Sequence, residues 1–240
     1  HLYGFQNAKK NFSTGDWLKL AKEKIMLCRK INKTPILVGG TGLYFKALTE
    51  GLVTIPKIPI NFRNKVRSLH KRIGQKKFFL KLIEIDPLIK DRINSLDAQR
   101  SLRAYEIKSF TKKSMISWFK NTKSDYDHGD FFKIYIDFPK KDLIEIINKR
   151  SQNMIKLGAI LEVKKFIKLR VPKNKSLSKA IGISEIKQYL QKKIQTDQLI
   201  EKISIKTRQY AKRQSTWARG HMKDWNKVNP AGLEKLLKKI

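Results

Sequence analysis

A short glycine-rich stretch with one hydroxyl group could do the most specific chemistry in this sequence. Residues 35–48 read PILVGGTGLYFKAL: an apolar run ends at Gly39 and Gly40, and an amphipathic run restarts at Leu43. The pattern predicts a strand that enters a helix through a tight turn, because glycine adopts backbone angles that other residues avoid. Thr41 would then lie at the helix N-terminus, where unpaired amide groups favour an anion or a polar substrate edge. An ordinary turn, in which Thr41 only caps the helix, is the simpler alternative.

A second candidate is an arginine within an apolar helix stripe. The helix predicted over about residues 141–157 carries four side chains at spacings of four, three and four residues: Leu143, Ile147, Arg150 and Met154. This spacing places Arg150 on the apolar face. Burial of a guanidinium group costs several kcal/mol unless an anion pairs with it. That anion is either a carboxylate of the same chain, in an internal salt bridge, or a diphosphate held by the planar guanidinium fork.

Two further helical segments carry cations at regular spacing. In the predicted helix over residues 95–110, Arg100 and Arg103 are three residues apart and are therefore neighbours on one face. The predicted helix over residues 197–219 has an apolar and a polar side, formed respectively by Leu199, Ile203, Tyr210 and Trp217 and by Arg208, Lys212, Ser215 and Arg219. Core packing explains the apolar side. The basic faces are either ordinary solvated surface or surfaces for RNA.

The charge balance favours a polyanionic partner. The 240 residues include 54 Lys and Arg against 20 Asp and Glu, a formal net charge of +34. Each phosphate that such cations neutralise releases a condensed counterion, which favours binding to nucleic acid. Lys, Ile and Asn are abundant together, as an AT-rich genome would produce. The charge therefore supports RNA binding without identifying the RNA.

The composition does not support several other kinds of site. The four histidines lack the spacing of metal ligands and Cys28 has no second cysteine as a partner, so neither a zinc site nor an internal disulfide is expected. A reducing cytoplasm is the expected compartment. No apolar run reaches the length of about eighteen residues that predicts a membrane span. No G-x-x-x-x-G-K-[ST] phosphate loop occurs.

Five segments, in the same order, resemble the motifs of the tRNA dimethylallyltransferase family. They are GGTGLYFKAL with a following EGL (39–52), SLDAQRSLRAYEI (95–107), DLIEIINKRSQNMIKLGAILEV (142–163), KAIGISEI (179–186) and TRQYAKRQSTWARG (207–220). Because these segments extend over nearly the whole chain, the sequence is identified as a member of this family.

The resemblance implies a prenyl transfer to RNA. A dimethylallyl group would move from dimethylallyl diphosphate to N6 of the adenosine 3′ to the anticodon of a tRNA, with Mg²⁺ as cofactor. Catalysis of this kind needs a base near the amine, positive charge at the departing diphosphate and a dry pocket. The target base must also be unstacked from the anticodon loop. We expect a monomer that binds the tRNA anticodon stem-loop and no membrane.

The resemblance also assigns roles to individual residues. Thr41 would lie near the acceptor adenine, Arg150 would contact the diphosphate, and Gly39 and Gly40 would bind the donor. Contacts with tRNA are implied for Arg63, for Gln99, Arg100, Ser101, Leu102 and Arg103, and for Lys179, Ala180, Ile181, Gly182, Ile183 and Ser184. The RNA-facing interpretation of the 197–219 helix adds Arg208 and Lys212. Ile183 stands where the family usually has a tyrosine, which argues against aromatic stacking there.

We predict an α/β fold with a P-loop NTPase-like parallel sheet core and a helical insertion domain. The core would comprise residues 1–60 and 129–240, and the insertion, residues 61–128, would form short helices that bind tRNA. Ser13 and Asp16 form a capping box that opens a helix through about residue 31. The alternating run at residues 131–138 predicts a strand that returns to the sheet, and Gly158 is expected to end the helix that follows.

The first residue, His1, corresponds to an internal position of the family pattern. The first strands, the phosphate loop, the general-base aspartate and the Mg²⁺-binding hydroxyl are therefore expected upstream of it. We expect these 240 residues to be inactive alone, and an unprotected sheet edge to lower their solubility.

Two other functions fit the same sequence features. One is an isopentenyltransferase that acts on free adenine nucleotides, which turnover of AMP compared with unmodified tRNA would distinguish. The other is a non-enzymatic RNA-binding protein, which would not discriminate between tRNAs with and without an anticodon-loop adenine.

Overall fold

The computed structural model describes residues 1–120 and 122–238, and the chain divides into two compact units. The first unit comprises residues 1–47 and 128–240, and the second comprises residues 48–127. The predicted insertion starts at residue 61, whereas the second unit starts at Leu48.

The described residues are mostly helical, with one small parallel sheet. The helices are α1 (Thr14–Lys30), α2 (Gly42–Thr49), α3 (Ile60–Ile85), α4 (Ala98–Thr111), α5 (Met115–Phe119), α6 (Lys140–Lys156), α7 (Ala159–Lys168), α8 (Ile183–Leu190), α9 (Thr196–His221) and α10 (Leu233–Leu237). The strands are β1 (Ile134–Ile136) and β2 (Asn226–Val228), and single 3₁₀ turns lie at Pro87–Ile89, His128–Asp130, Leu177–Lys179 and Pro230–Gly232. In these ranges, no helix combines the length and the apolar character that crossing a membrane requires.

The sheet consists of β1 and β2, which pair in parallel. Ile134 lies opposite Asn226, and Ile136 lies opposite Val228. The returning strand predicted over residues 131–138 is confirmed at its centre. Its partner β2, more than ninety residues later, was not predicted, because its three residues carry little alternating pattern.

The predicted strand before the glycine turn is wrong. Residues 33–39 have no regular structure, and the side chains of Ile36 and Val38 are 83% and 76% exposed. A strand needs a neighbour for its backbone hydrogen bonds, and within the described residues none pairs with this segment. One contact reaches it from a side chain: the Tyr3 hydroxyl donates to the Val38 carbonyl oxygen at 2.7 Å.

Helices α7, α8 and α9 form the core of the first unit. The buried side chains of this core are Ala159, Val163, Phe166, Ile183, Ile186, Leu199 and Ile203. Gly158 separates α6 from α7 with a φ of 100°, so the predicted glycine stop is confirmed. The capping box at the start of α1 is confirmed as well: the Ser13 amide donates to the Asp16 carboxylate at 2.8 Å, and the Ser13 hydroxyl accepts from the Asp16 amide.

Helices α3, α4 and α5 enclose the core of the second unit. Its buried side chains are Ile58, Phe79, Leu82, Ile89, Ile93, Ala104, Ile107 and Met115. The short helices expected in this part of the chain correspond to α4, α5 and the two helical parts of α3, a 26-residue element that is not continuous. A kink at Gly74, with a φ of 76°, divides α3, and a residue with a side chain would be strained in that conformation.

Candidate functional site

The glycine turn of the first unit is docked onto α9. The Gln214 side-chain amide donates to the Gly40 carbonyl oxygen at 3.0 Å. A β-carbon on Gly40 would overlap the Gln214 side chain, and one on Gly42 would overlap the indole ring of Trp217. Gly39 has open space at the same position. Glycine is therefore needed at residue 42 for the close approach of the Trp217 ring, whereas at residue 40 the flexible end of the Gln214 side chain could move aside.

Besides the contacts with α9, aromatic side chains from elsewhere in the first unit pack against the start of α2. The rings of Trp17 and Tyr44 stack with centroids 4.5 Å apart, and Trp225 meets Phe45 edge to face at 5.5 Å. Burial raises the pKa of the Tyr44 hydroxyl, and the carboxylate of Asp16 adds to the rise. Tyr44 therefore remains neutral at physiological pH. The contacts with Trp17 and Trp225 fix the first residues of α2, which follow the glycine turn directly.

Thr41 is exposed, and its hydroxyl makes no hydrogen bond with any residue that the structure describes. Its carbonyl oxygen accepts the Tyr44 amide at 2.9 Å, which begins the helix. The alternative in which the hydroxyl caps α2 is therefore not realised. The Thr41 hydroxyl is available to donate to, and accept from, a bound molecule.

Arg150 lies on the surface, so the prediction that it is buried in the apolar stripe of α6 is wrong. Ile147 and Ser151 occupy the buried face instead, and the Ser151 hydroxyl donates to the Ile147 carbonyl oxygen at 2.9 Å. Arg150 is at the border of that face, from which a long side chain reaches water. Within the described part of the chain, the Arg150 guanidinium group forms no ion pair or hydrogen bond, so the internal salt bridge is absent too.

Helix α9 contacts both the glycine turn and the helix that carries Arg150. Arg208 of α9 donates to the Asn148 side-chain oxygen on α6 at 3.2 Å. Arg208 and Gln214 are six residues apart, about 9 Å along the helix axis. Asn148 and Arg150 lie on opposite borders of the buried face of α6, since two residues correspond to about 200° of rotation. The structure thus connects the two segments through α9, while Thr41 and Arg150 do not touch.

The polar side of α9 divides into three parts. Arg208 binds α6, Lys212 is exposed, and Ser215 and Arg219 line a cavity of about 270 Å³. The other lining residues are Tyr135, Asp137, Ala218, Met222, Lys223, Trp225 and Lys227. On the apolar side, Leu199 and Ile203 are buried as predicted, but Tyr210 is 41% exposed.

Three arginines surround one buried carboxylate in the second unit. Arg63 Nε lies 3.2 Å from Glu106 Oε2, Arg103 Nη1 lies 3.6 Å from the same oxygen, and Arg67 Nε lies 3.9 Å from Oε1. The Glu106 side chain is 3% exposed. Arg63 and Arg103 were predicted as tRNA contacts, whereas Arg67 and Glu106 were missed. The spacing of Arg63 and Arg67, one helical turn apart, is the signal that could have found Arg67.

The segment before Arg103 is only partly available to a ligand. Gln99 and Arg100 are exposed, although Arg100 pairs with Asp97 at 3.2 Å. The Ser101 side chain is fully buried: its hydroxyl donates to the Asp97 carbonyl oxygen at 2.7 Å and accepts from Gln75. Leu102 is half-buried. We therefore do not propose a tRNA contact through the Ser101 side chain.

The turn over residues 179–184 is held by a buried glutamate. Lys179, Ala180 and Ser184 are exposed, Ile181 is half-buried, and Gly182 and Ile183 are buried. Ile183 belongs to the hydrophobic core, which explains why an aromatic ring is not required there. The Glu185 carboxylate accepts the Gly182 amide at 2.9 Å and pairs with Lys206.

The chain is similar to known tRNA-modifying transferases. The sequence model of the IPP transferase family matches residues 1–221. The chain is 54% identical over its full length to the tRNA dimethylallyltransferase of Pelagibacter ubique, of which it covers 77%. It is 40% identical over 226 residues to the enzyme of the same name from Rickettsia massiliae, with 93% of this chain and 62% of the relative covered.

Solved structures agree with these sequence matches. The tRNA isopentenylpyrophosphate transferase of Bacillus halodurans is 27% identical, with a TM-score of 0.61 over 95% of this chain and 71% of that one. A eukaryotic dimethylallyltransferase described as acting on tRNA shares the fold, with 22% identity and a TM-score of 0.77 over 92% and 57% of the two chains. The chain belongs to the IPP transferase family.

A metal site is not assigned to these residues. Across residues 1–120 and 122–238, no three side chains of His, Cys, Asp or Glu come together as ligands for a metal ion. Mg²⁺ often binds through only one or two carboxylates together with substrate phosphates, so the expected Mg²⁺ cofactor stays a prediction.

Proposed function

We propose that this chain takes part in the transfer of a dimethylallyl group from dimethylallyl diphosphate to N6 of the adenosine 3′ to the anticodon of a tRNA. Membership of the IPP transferase family and the 54% identity to a tRNA dimethylallyltransferase support the proposal. The structural observation that carries it is the glycine turn, which is packed against α9 and leaves the Thr41 hydroxyl unpaired.

The reaction exchanges one bond to the allylic carbon for another. The carbon–oxygen bond to the diphosphate breaks, a carbon–nitrogen bond to N6 forms, and one proton passes from the amine to a general base. Thr41 is proposed to hold the exocyclic amine by hydrogen bonding, which orients its lone pair towards the allylic carbon. The backbones of Gly39 and Gly40 would lie against the donor, which could approach most closely at Gly39, where the space beside the α-carbon is open.

Arg150 is proposed to bind the diphosphate. Its guanidinium group has no partner among the described residues and is not neutralised by a neighbouring carboxylate. A planar fork of N–H donors matches two phosphate oxygens at once. Negative charge grows on the diphosphate as the carbon–oxygen bond breaks, so this contact would strengthen in the transition state.

Polar residues of both units that are exposed or half-buried are proposed to contact the tRNA. In the second unit these are Arg63, Gln99, Arg100 and Arg103, and in the first unit Lys179, Ser184, Arg208 and Lys212. The formal net charge of +34 supports binding to a polyphosphate backbone. The turn at Thr41 would in addition recognise the single unstacked adenine.

The finer predictions about the fold, compartment and assembly belong to the same proposal. Parallel pairing of β1 and β2 is compatible with a P-loop NTPase-like sheet, because parallel strands are joined by helical crossovers. The cytoplasm as the compartment and a monomeric state remain predictions. Sedimentation equilibrium of the purified chain tests the monomer.

A chimera tests the proposed activity. In it, this chain replaces the matching part of the Pelagibacter ubique relative, and the product is incubated with dimethylallyl diphosphate and unmodified tRNA. Mass spectrometry of the digested tRNA is expected to show N6-dimethylallyladenosine, while AMP in a parallel reaction remains unmodified. Modification of AMP but not of tRNA would support the free-nucleotide alternative. Tight tRNA binding without any modified product would support the passive RNA-binding alternative.

Thr41→Val in the same chimera tests the role of the hydroxyl group. Valine has nearly the same shape and lacks only the hydrogen-bonding group, so we expect the rate of prenyl transfer to fall by about tenfold or more. The control is Thr54→Val, at an exposed position in the second unit. Equal rates for the two variants would remove Thr41 from the proposed mechanism.

A further inference from the structure

One cluster, called the arginine cluster below, consists of Arg63, Arg67, Arg103 and Glu106. Its negative charge is buried, whereas its positive charges are partly exposed to solvent. Glu106 is 3% exposed, whereas the side chains of the three arginines are 36%, 51% and 41% exposed. The negative charge is therefore covered by protein and the positive charges face water. Three cations against one anion leave a local charge of about +2.

Most hydrogen-bond donors of the arginine cluster remain available. Each guanidinium group carries five N–H donors, and a carboxylate has only about four acceptor sites. The ion pairs with Glu106 use one nitrogen atom of each arginine: Nε of Arg63, Nε of Arg67 and Nη1 of Arg103. The remaining donors are those that planar forks present to phosphate oxygens.

The cluster joins two helices into one surface. Arg63 and Arg67 lie one turn apart on α3, and Arg103 and Glu106 lie one turn apart on α4. Three guanidinium groups this close repel one another, and a buried carboxylate without partners costs several kcal/mol. Glu106 and the arginines thus stabilise each other, which holds the cations together before any ligand arrives. Binding to such a preorganised group loses less side-chain entropy.

We propose that Glu106 is a positioning residue that assembles the three arginines into one binding site for the tRNA phosphate backbone, and that Arg67 is a tRNA contact of that site. The inference rests on the proposed function, because it takes tRNA as the ligand. It adds two residues to those that the family resemblance supplied and explains how Arg63 and Arg103 are held.

Glu106→Gln tests whether tRNA binding depends on the positions of the arginines or only on the net charge of the cluster. The substitution adds one unit of positive charge, so net charge alone predicts tighter binding of tRNA. The proposed role of Glu106 predicts the opposite, because the guanidinium groups spread apart without their shared anion. We expect the dissociation constant of the 240-residue chain for unmodified tRNA, measured by fluorescence anisotropy, to rise about fivefold. Circular dichroism at the assay temperature confirms that the variant is folded. A tighter or unchanged complex would overturn the role of Glu106.

Arg67→Ala tests the new contact without disturbing the core, since this side chain is half-exposed. Arg72→Ala is the matched control: Arg72 is also exposed on α3 but lies outside the arginine cluster. Both variants lose one charge. We expect only Arg67→Ala to reduce the slope of log affinity against log salt, by about one. Equal slopes for the two variants would overturn the assignment of Arg67.

These binding measurements need no prenyl donor. Their results can therefore overturn the proposed role of the arginine cluster without overturning the proposed reaction, and the reverse. A chimera that modifies tRNA, together with cluster variants that bind tRNA as tightly as the parent chain, would overturn the inference and leave the function standing. A chimera without activity, together with weakened binding by Arg67→Ala and Glu106→Gln, would support the cluster as an RNA site and count against the reaction.

Discussion

Arg150 and Thr41 carry polar groups that face solvent without an internal partner in the described structure. Side chains of this kind contribute little to stability, because their exposed polar groups are satisfied by water. Substitutions at these two positions therefore test ligand binding with little interference from unfolding. In the arginine cluster, by contrast, Glu106 is buried and paired, so its removal affects both stability and binding.

Arg150→Gln is expected to weaken the prenyl donor specifically. In the chimera, KM for dimethylallyl diphosphate should rise about tenfold and kcat should fall, because a fork on the diphosphate acts in both the ground and transition states. The melting temperature should stay unchanged. Lys149→Gln is the control: Lys149 is the adjacent exposed cation of α6. A KM effect equal to that of the control would show that Arg150 contributes only general charge.

At the scale of elements, α9 is the helix that organises the first unit. Its N-terminal half packs Leu199 and Ile203 into the hydrophobic core, and its C-terminal half holds the glycine turn through Gln214 and Trp217. A substitution in either half of α9 should therefore alter the position of the glycine turn.

Gly42→Ala tests the contact between the turn and α9. A β-carbon at residue 42 overlaps the Trp217 ring, so one of the two must move, and we expect a loss of stability of about 1–3 kcal/mol. Gly39→Ala is the matched control, because nothing lies near that position. Thermal unfolding followed by near-ultraviolet circular dichroism measures both. A loss no greater than that of the control would mean that α9 does not pack tightly on the turn.

The ion pair between Glu185 of α8 and Lys206 of α9 should make the stability of the fold depend on pH. Burial raises the pKa of Glu185, but the hydrogen bonds from Lys206 and from the Gly182 and Glu185 amides outweigh it, so the pKa is lowered overall from 4.5. A carboxyl group whose pKa is lower in the folded state stabilises the fold above its unfolded pKa, and this contribution disappears as the pH falls through the folded value.

Glu185→Gln should show this dependence directly. The difference in unfolding free energy between the parent chain and the variant should be constant at neutral pH and shrink below about pH 4.5. Urea unfolding at a series of pH values measures it. A difference that does not change down to pH 3 would show that the Glu185–Lys206 pair does not depend on ionisation.

At the scale of the whole molecule, the charge of +34 sets the strength of any contact with nucleic acid. If six or more phosphates are neutralised, affinity for tRNA should fall about a thousandfold between 50 and 200 mM salt. Filter binding over that range measures the slope. A slope corresponding to only one or two phosphates would exclude an extended interface with the tRNA backbone.

Several features were predictable because they depend on neighbouring residues. The Ser13–Asp16 capping box and the glycine stop at Gly158 are satisfied within a few residues, and helix α9 follows from the periodicity of its own side chains. The family followed from the order of five motifs. These features need no knowledge of what lies elsewhere in the molecule.

Other features depended on segments far apart in the chain. Whether residues 36–38 form a strand depends on a pairing partner, and whether Arg150 is buried depends on which side of α6 meets α9. The arginine cluster joins α3 to α4 across about forty residues, so the periodicity of each helix shows which arginines share its face but not that the two faces meet. Motif order and local hydrogen bonding can thus be derived from the chain alone. Burial, strand pairing and the meeting of charged side chains were settled by folding, because their energies come from contacts between distant segments.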